Sequence, residues 1–469
     1  MQSKLFFYGF IGTFFFASLA ETVFSKERLT TSDQGTYPNI QQSVLKSFWL
    51  LQFDNLIKRE QTNQIPKQPF QNTPSKAKSR KMFTETKSSR QKASDNLSST
   101  FSPITMFMCG DVMLGRGIDQ VLTHPSDPVL HEPYMKSAIG YVELAERVNG
   151  PIPYPVSYSY IWGDALEELE RVAPDLRLIN LETSITKSND YLENKGIHYR
   201  MHPKNIDCIT AAKIDYCSLA NNHLLDWGYS GLKETLETLQ KVNVKSAGAG
   251  QNLQEAETPA VMEVEGKGRV IVFSYGLVTS GISPGWDALK ERPGVNLLKD
   301  LSKKTMQRIK EKVKEVKQQG DIVVVSIHWG DNWGYEIPSE QREFAHKLID
   351  GMGVDVIHGH SSHHVKGIEV YKDKLIIYGC GDFLNDYEGI GGYEDFRADL
   401  ALMYFVSVEP SSGKLIRLQM TPTQIKNFKV NRASKADSLW LRDILNRESK
   451  RFGTQVKLSK DYVLTLQWN

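Results

Sequence analysis

From Ile104 onward the chain repeats one pattern: a short apolar run ends in polar residues, and a segment with helical periodicity follows. Repetition of strand and helix predicts an α/β fold with buried sheets. The run Asp321–Ile327, which reads DIVVVSI, is typical of a strand that is buried on both faces. The other runs of this kind are Thr105–Gly110, Leu176–Leu181, Asp215–Leu219 and Val354–Ile357. The helical segments include Ser230–Lys241, Leu301–Gln318 and Ser339–Met352.

Five further apolar runs are interpreted as hairpin strands and antiparallel additions to the sheets. They are Arg269–Tyr275, Lys366–Tyr371, Leu375–Gly379, Leu400–Val408 and Lys414–Met420. No internal repeat is visible in the sequence. The region 104–469 is therefore expected to form one large domain.

Polar side chains with metal-binding chemistry follow the predicted strands. They are Asp111, Glu182, Asn222, His223, His328 and His360. In an open α/β sheet the loops at the carboxyl ends of the strands converge, so these side chains are expected at one edge. Carboxylates, an asparagine and imidazoles together suit a divalent ion such as Mn, Zn or Fe. Six of the eleven histidines lie at these strand ends, which favours a metal site: His223, His328, His358, His360, His363 and His364.

Each of these residues also has an ordinary structural interpretation. Asp111 can cap a helix or form a turn, and Asn222 can occupy a left-handed turn. His328 can be a core histidine with satisfied hydrogen bonds. Their occurrence together at one predicted sheet edge favours the metal site. His358 and His364 are left out of the ligand set, because side chains alternate between the two faces of a strand.

The first twenty residues predict a signal for export. Lys4 precedes an apolar run over residues 5–17, and Ser18-Leu19-Ala20 forms a cleavage signature of small residues. A signal peptide over residues 1–20 is therefore predicted, with an uncleaved membrane anchor as the alternative. Either form predicts that the remaining chain works outside the cytoplasm, as a periplasmic or secreted protein or as one tethered to the membrane.

Charge is distributed unevenly along the chain. The total is +2, from 57 basic and 55 acidic residues, but residues 57–100 contain ten basic and three acidic ones. Residues 1–56 balance, so residues 101–469 carry a net charge of −5, which excludes a nucleic-acid-binding body. Low apolar content over residues 58–102 predicts a disordered basic linker within a flank that extends over 21–103. Its charge favours either a solvated tether or peripheral association with an anionic envelope surface.

The four cysteines do not predict a disulfide scaffold, although export would permit disulfides. Cys109, Cys217 and Cys380 each lie in an apolar run, where a free thiol behaves as a small hydrophobic side chain. Pairing of Cys208 with Cys217 stays open at this point.

Seven segments of the chain carry a resemblance to a known family. They are Gly110–Arg116 (GDVMLGR), Asn180–Thr183 (NLET), Leu219–Gly228 (LANNHLLDWG), Arg292–Val295, His328–Gly330, Gly359–His363 and Tyr378–Phe383. These segments resemble the CapA domain family, which is associated with bacterial capsule and poly-gamma-glutamate synthesis and belongs to the calcineurin-like metallophosphoesterase superfamily. The resemblance extends from about Ile104 to about Phe396, with a family tail towards the C-terminus. It implies a metallophosphatase-like four-layer sandwich over residues 104–469, in which helices flank two mixed β-sheets.

The resemblance also implies a metal centre with one or two divalent ions. The implied ligands are Asp111, Glu182, Asn222, His328, His360 and His363. His223 belongs to the Asn-His pair that the superfamily has near the leaving group, and His223 or Asp226 is a candidate proton donor. Two positions depart from the pattern: Met113 stands where the superfamily usually has a histidine, and Ser361-Ser362 where many members have His-Pro. Because a thioether is a poor ligand for a hard divalent ion, one of two ions is expected to be weakly held.

Three functions agree with these residues. The first is a factor for capsule or poly-gamma-glutamate synthesis or export, which binds an anionic polymer and works with capsule-synthesis membrane proteins. The second is an active metal-dependent hydrolase of a phosphoester or amide in an anionic polymer, and the third is a non-catalytic scaffold. Arg116 is a candidate substrate clamp, because a guanidinium group matches carboxylate or phosphate in a bidentate way. A salt bridge is the alternative interpretation of Arg116.

Overall fold

The computed structural model describes residues 102–469 of the 469-residue chain. The predicted signal peptide over residues 1–20, and the predicted linker as far as residue 101, lie outside the described residues. Within 102–469, no helix has both the length and the apolar character needed to cross a lipid bilayer.

The described residues form two large sheets, two small two-stranded sheets and nine α-helices. The strands, in chain order, are β1 (Ile104–Val112), β2 (Leu176–Leu181), β3 (Ser184–Ile185), β4 (Arg200–Met201), β5 (Tyr216–Ser218), β6 (Lys245–Ala247), β7 (Ala249–Gly250), β8 (Ala260–Val264), β9 (Gly268–Leu277), β10 (Gly294–Val295), β11 (Leu297–Leu298), β12 (Ile322–His328), β13 (Val356–His360), β14 (Ile368–Tyr371), β15 (Lys374–Ile377), β16 (Asp382–Leu384), β17 (Leu400–Val408), β18 (Leu415–Ile425), β19 (Val430–Arg432), β20 (Gln455–Leu458) and β21 (Leu464–Gln467). The helices are α1 (Gly117–Val121), α2 (Ile139–Asn149), α3 (Asp164–Val172), α4 (Asp207–Ala211), α5 (Gly228–Lys241), α6 (Leu253–Glu257), α7 (Lys303–Val316), α8 (Ser339–Met352) and α9 (Lys435–Ser449).

The larger sheet joins a parallel half to an antiparallel half. Its strand order is β20-β21-β18-β17-β1-β2-β5-β6, with β16 beside β1 and β19 beside β18. Strands β1, β2, β5 and β6 run parallel, and helices α3, α4 and α5 each lead into the next of these strands. Strand β17 runs antiparallel to β1, so the late part of the chain extends the sheet that the first strand begins.

The second large sheet has the order β11-β9-β12-β13-β15-β14, with β8 beside β9. The predictions for β14, β17 and β18 are confirmed, since each has antiparallel neighbours. The prediction that Arg269–Tyr275 and Leu375–Gly379 are antiparallel additions is wrong in part. Strands β9 and β15 pair antiparallel with β8 and β14 on one side, but parallel with β12 and β13 on the other. An apolar run shows that a strand is buried, but it does not show the direction of the neighbouring strand.

The helices follow the expected periodicity. In α7 the buried residues are Met306, Ile309 and Val313, which recur at helical spacing and leave the charged residues outside. Ser302 caps this helix, because its hydroxyl accepts a hydrogen bond from the backbone N–H of Thr305 at 3.3 Å. The helix therefore begins and ends within the predicted segment.

Three clusters of buried apolar side chains hold the layers together. One cluster takes alternate residues from both large sheets, such as Met106 and Met108 of β1 and Val270 and Val272 of β9. The second cluster joins the larger sheet to α3, α4 and α5, and the third joins the other sheet to α7 and α8. The predicted mixed α/β class is thus confirmed.

All four cysteines are buried and free of disulfide bonds. The sulfur of Cys208 lies 3.5 Å from that of Met201, within the apolar core. The interpretation of these cysteines as small hydrophobic side chains is confirmed, and the open question of a Cys208–Cys217 bond is answered in the negative.

Candidate metal centre

The carboxyl ends of four strands from the two large sheets meet at the candidate site. Asp111 lies near the end of β1, Glu182 follows β2, and β12 and β13 end at His328 and His360. All four side chains are buried. One ligand atom from each of Asp111, His328 and His360 lies within 4.8 Å of the others. The structure thus brings these predicted ligands together.

Hydrogen bonds hold the Asp111 carboxylate from two sides. Asn180 donates through Nδ2 to Oδ1 at 2.7 Å, and the backbone N–H of Ser361 donates to Oδ2 at 3.2 Å. Burial, followed by the carboxylate of Asp382, raises the pKa of Asp111 above its ordinary value. A neighbouring cation would lower this pKa again, because positive charge favours the ionised form.

The imidazoles of His328 and His360 face each other. Their Nδ1 atoms lie 2.8 Å apart, His360 Nε2 lies 2.9 Å from the hydroxyl of Ser326, and His328 Nε2 lies 2.8 Å from Asn222 Oδ1. Burial lowers the pKa of both histidines well below the ordinary value. Both rings are therefore neutral near pH 7, which is the form in which imidazole binds a metal.

Glu182 lies close to both His223 and His328. Its Oε1 is 3.6 Å from His223 Nε2 and 3.9 Å from His328 Nε2. Its Oε2 is buried and has no hydrogen-bond partner among the described residues. Burial, and next the carboxylates of Asp111 and Asp382, raise the pKa of Glu182 well above its ordinary value. A buried carboxylate oxygen without a donor is costly, and a bound cation would remove that cost.

His223 is oriented through its other ring nitrogen. Nδ1 lies 2.7 Å from Asp226 Oδ2 and 3.0 Å from the Nζ of Lys195, so Nε2 is the atom on the side of Glu182. Burial lowers the pKa of His223 to about 4, although Asp226 opposes this shift. The backbone N–H of Tyr199 also donates to Asp226 Oδ2, at 2.7 Å.

The predicted role of Asp226 as a proton donor does not agree with these surroundings. Burial would raise the pKa of this carboxyl, but His223 and Lys195 outweigh burial and lower it. Asp226 is therefore ionised at neutral pH, and it accepts hydrogen bonds from Lys195 and from the backbone of Tyr199. It is a positioning residue for His223. Lys195 was missed by sequence reasoning, because it lies in a loop without a motif or a periodic pattern.

Asp382 also lies at the site and was missed. The Nδ1 atom of His363 is 2.9 Å from Asp382 Oδ1, and Asn385 donates to Asp382 Oδ2 at 2.7 Å. Asp111, His363 and Asp382 form a second group whose ligand atoms lie within 4.8 Å of one another. A signal was present in the sequence: the tripeptide Cys-Gly-Asp occurs at residues 109–111 and again at 380–382.

Arg116 does not face the candidate ligands. It is 3% exposed, and its guanidinium group donates to both oxygens of Asp386 and to Glu132 Oε1 at 3.1 Å. It also donates to the hydroxyl of Tyr141 at 2.9 Å. A substrate clamp needs free donors, so the predicted clamp is corrected to a buried ion pair.

His358 and His364 have partners of their own. His358 lies on the same side of β13 as His360, since residues two apart in a strand share a face, so the alternation argument does not apply to it. It bonds the carbonyl oxygen of Cys109 at 2.7 Å through Nε2 and the Ser326 hydroxyl at 3.1 Å through Nδ1. His364 bonds the carbonyl oxygen of Val365 at 3.1 Å. Neither belongs to the groups of clustered ligand atoms.

The donor set fits a divalent cation. Buried carboxylates and neutral imidazoles converge, and within residues 102–469 the Oε2 atom of Glu182 has no donor. Such mixed oxygen and nitrogen ligands suit Mn, Zn or Fe. Met113 is also buried, and its sulfur lies 3.6 Å from the hydroxyl of Tyr387. A thioether is a poor ligand for a hard divalent ion, so Met113 adds no strong ligand to the set.

Comparison with known proteins gives the family. Residues 105–387 match the family model described as bacterial capsule synthesis protein PGA_cap. The chain is 48% identical over 362 residues to a probable polyglutamine synthesis accessory protein of Mycobacterium tuberculosis, and the alignment covers 77% of this chain and 95% of that protein. It is 28% identical over 287 residues to the capsule biosynthesis protein CapA of Bacillus anthracis, covering 60% of each chain. It is 28% identical over 318 residues to the PGA biosynthesis protein CapA of Bacillus subtilis, covering 67% of this chain and 70% of that one.

The family match extends over the strands that carry Asp111, Glu182, His328 and His360, and over the second Cys-Gly-Asp segment. The resemblance seen in the sequence motifs is therefore confirmed. This chain belongs to the PGA_cap family of bacterial capsule synthesis proteins.

Proposed function

We propose that this protein is an accessory factor in the synthesis or export of an anionic capsule polymer such as poly-gamma-glutamate, and that it carries a divalent metal centre. The names of the relatives support the first part. One observation carries the second part: among the described residues the buried Oε2 of Glu182 has no hydrogen-bond donor, while its Oε1 lies 3.6 Å from His223 Nε2 and 3.9 Å from His328 Nε2. The proposed ligands are Asp111, Glu182, Asn222, His328, His360 and His363.

The proposal extends to the architecture and the location of the protein. Two mixed sheets that share one core, with helices on their outer faces, support a metallophosphatase-like four-layer sandwich. The leader and the basic segment of the sequence support export, followed by secretion, periplasmic residence or association with the envelope. Membrane proteins of capsule synthesis are the proposed partners.

The chain's own residues define what the centre can do. A bound divalent ion would supply positive charge for the carboxylate or phosphate oxygens of an anionic polymer. His223 offers Nε2 on the side of Glu182, while Asp226 and Lys195 hold the ring from the Nδ1 side. This arrangement orients a neutral imidazole that can accept a proton or, once protonated, donate it.

Hydrolysis of a phosphoester or amide in the polymer is the second candidate function. The oriented His223 favours it, because a binding protein without turnover needs no imidazole held in one orientation. A non-catalytic scaffold remains the third possibility and predicts neither metal binding nor turnover.

Metal analysis of the purified full chain tests the centre. We expect at least one tightly bound divalent ion per chain, and we expect His328→Ala to lower the count because it removes one imidazole ligand. His346→Ala is the matched control, since this partly buried histidine bonds Glu369 at 2.9 Å instead of the clustered residues. Less than one ion per wild-type chain, with no change in His328→Ala, would contradict the metal centre.

Incubation with polymer separates the two functions. The metal-loaded and the chelated chain are each mixed with poly-gamma-glutamate and with a phosphodiester. Binding of the polymer that chelation weakens, without cleavage of either compound, is the result expected of an accessory factor. Cleavage that His223→Ala abolishes would favour the hydrolase instead.

A further inference from the structure

We propose that Asp382 is a metal ligand, and that Asp111, Asp382 and His363 form an oxygen-rich position for a second divalent cation. The inference rests on the metal centre proposed above and assigns a residue that lies in the family-like segment Tyr378–Phe383 but is not among the ligands that the resemblance implies. Met113 stands where the superfamily has a histidine ligand. Asp382 comes from a different strand and brings a carboxylate to the same part of the site.

Strand pairing brings the two aspartates together. Strands β1 and β16 run parallel, Asp111 pairs with Asp382, and the backbone N–H of Asp111 donates to the carbonyl oxygen of Gly381 at 3.1 Å. The approach is so close that a Cβ added at Gly110 would lie 1.6 Å from that carbonyl oxygen. The two Cys-Gly-Asp segments therefore lie side by side with their glycines in close approach, and each brings its aspartate to the same part of the site.

The orientation of His363 favours direct ligation by Asp382. Its Nε2 atom lies 2.9 Å from Asn332 Nδ2, on the loop after β12, whereas its Nδ1 atom is 2.9 Å from Asp382 Oδ1. A cation held by Nδ1 of His363 would therefore also lie within reach of the Asp382 carboxylate. If Asp382 only oriented the ring, Nε2 would have to bind the cation, and Asn332 occupies that side.

Three buried carboxyl groups lie close together at this point of the site. Asp111 and Asp382 are 0% and 1% exposed, and Glu182 is 2% exposed. Among the described residues, Arg116 pairs with Asp386 and Lys195 with Asp226, and the basic side chain that contacts Asp382 is His363, itself a proposed ligand. Neighbouring buried carboxylates repel one another strongly, and a divalent cation among them removes that cost.

The two positions of the centre differ in their ligands. The first position offers the imidazoles of His328 and His360, the Asn222 amide oxygen and one carboxylate, that of Asp111. The second position offers the carboxylates of Asp111 and Asp382 and the imidazole of His363. Carboxylate oxygens suit hard ions such as Mn²⁺, and imidazoles suit Zn²⁺ or Fe²⁺. We therefore use Mn²⁺ as the probe for the oxygen-rich position.

The test is a Mn²⁺ titration of the full chain after removal of metals, followed by electron paramagnetic resonance and elemental analysis. We expect two ions in the wild type, one in Asp382→Asn and one in His328→Ala. The spectrum of a coupled Mn²⁺ pair is expected only in the wild type. Asp382→Glu retains a carboxylate and is expected to recover the second ion with weaker affinity. Asp119→Asn, the same change at a buried carboxylate outside the site, is expected to bind two ions.

The outcomes separate the two proposals. If the wild type binds no ion, the metal centre itself is wrong. If the wild type binds metal and Asp382→Asn binds as many ions with the same affinity, the assignment of Asp382 alone is overturned. Unfolding curves for each variant without metal exclude loss of structure as the cause of a lost ion, and Asp382→Glu provides the test if Asp382→Asn does not fold.

Discussion

Buried carboxylates in this protein differ in what balances their charge. Asp386 and Glu132 face the guanidinium group of Arg116, whereas Asp111 and Asp382 face each other at the candidate centre. Asp119 represents a third kind, because hydrogen bonds stabilise the charge of its carboxylate. It accepts from the backbone N–H of Ser126 at 2.6 Å and of His202 at 2.8 Å, and from Asn205 Nδ2 at 3.0 Å. Residues of one type thus have three separate roles, which depend on the groups that face them.

Asp119 allows a prediction of pH dependence at the residue scale. Burial raises the pKa of Asp119 from 3.8 to about 6, although its hydrogen bonds oppose the shift. The folded state therefore binds the proton more tightly than the unfolded state, so this group stabilises the fold at low pH and loses its contribution as the pH rises from about 4 to about 6. Relative to Asp119→Asn, the wild type is expected to lose up to about 3 kcal/mol of unfolding free energy across this range.

Urea unfolding of both proteins at pH 4.5 and pH 7.5 checks this prediction. The other carboxyl groups titrate in both proteins, so their contributions cancel in the difference. If the difference in unfolding free energy between wild type and Asp119→Asn does not change with pH, burial does not raise the pKa of Asp119 in this way.

At the scale of elements, the close parallel pairing of β1 with β16 controls the geometry of the site. The backbones come closest at Gly110 of β1 and at Gly381, the residue before β16, where no side chain separates them. Gly381 also has a φ of 79°, which is a conformation that glycine adopts without strain. The distance between the two aspartates therefore depends on two glycines and not on the aspartates themselves.

Substitution of Gly110 by alanine tests this dependence. The new methyl group would lie 1.6 Å from the Gly381 carbonyl oxygen, so β16 must move away. We expect a loss of about 1–3 kcal/mol in unfolding free energy, and a weaker second Mn²⁺ site because Asp382 moves with its strand. Gly285→Ala is the control, since a Cβ there meets nothing within 4 Å, and it is expected to change stability by less than about 0.5 kcal/mol. Unchanged metal binding in Gly110→Ala would contradict the role of this close approach.

The strands also show which features of an element can be predicted from the sequence pattern. Strands β1, β2, β12 and β13 were predicted because an apolar run and the polar residues near its end are local features. The parallel pairing of β9 with β12 and of β15 with β13 was not predicted, since an apolar run is compatible with neighbouring strands in either direction.

At the scale of the whole molecule, the network around Arg116 joins distant parts of the chain. Arg116 follows β1, Glu132 lies in the loop before α2, and Asp386 follows β16, 270 residues from Arg116. The side chains of all three are almost completely buried. The network thus holds the loop after β1 against the segment that carries Asp382.

Arg116→Met tests the contribution of this network to stability. The variant leaves two buried carboxylates without their cation, which costs about 3–5 kcal/mol in unfolding free energy. Arg442→Met is the control, because the side chain of Arg442 is 34% exposed and pairs with exposed Asp443, and such surface pairs contribute about 0–1 kcal/mol. Denaturant unfolding measures both. Equal stability of the two variants would contradict the view that the buried network holds these segments together.

The sequence by itself determined the alternation of strands and helices, the strand ends that carry acidic, amide and imidazole groups, and the family. These properties depend on spacing over a few residues and on short motifs, which are visible without a fold. Only the tertiary structure brought Asp382 beside Asp111, turned Arg116 inward and set Lys195 against His223. The physical reason is that these contacts depend on strand order and loop paths over up to 270 residues, and burial then decides which charges need a partner.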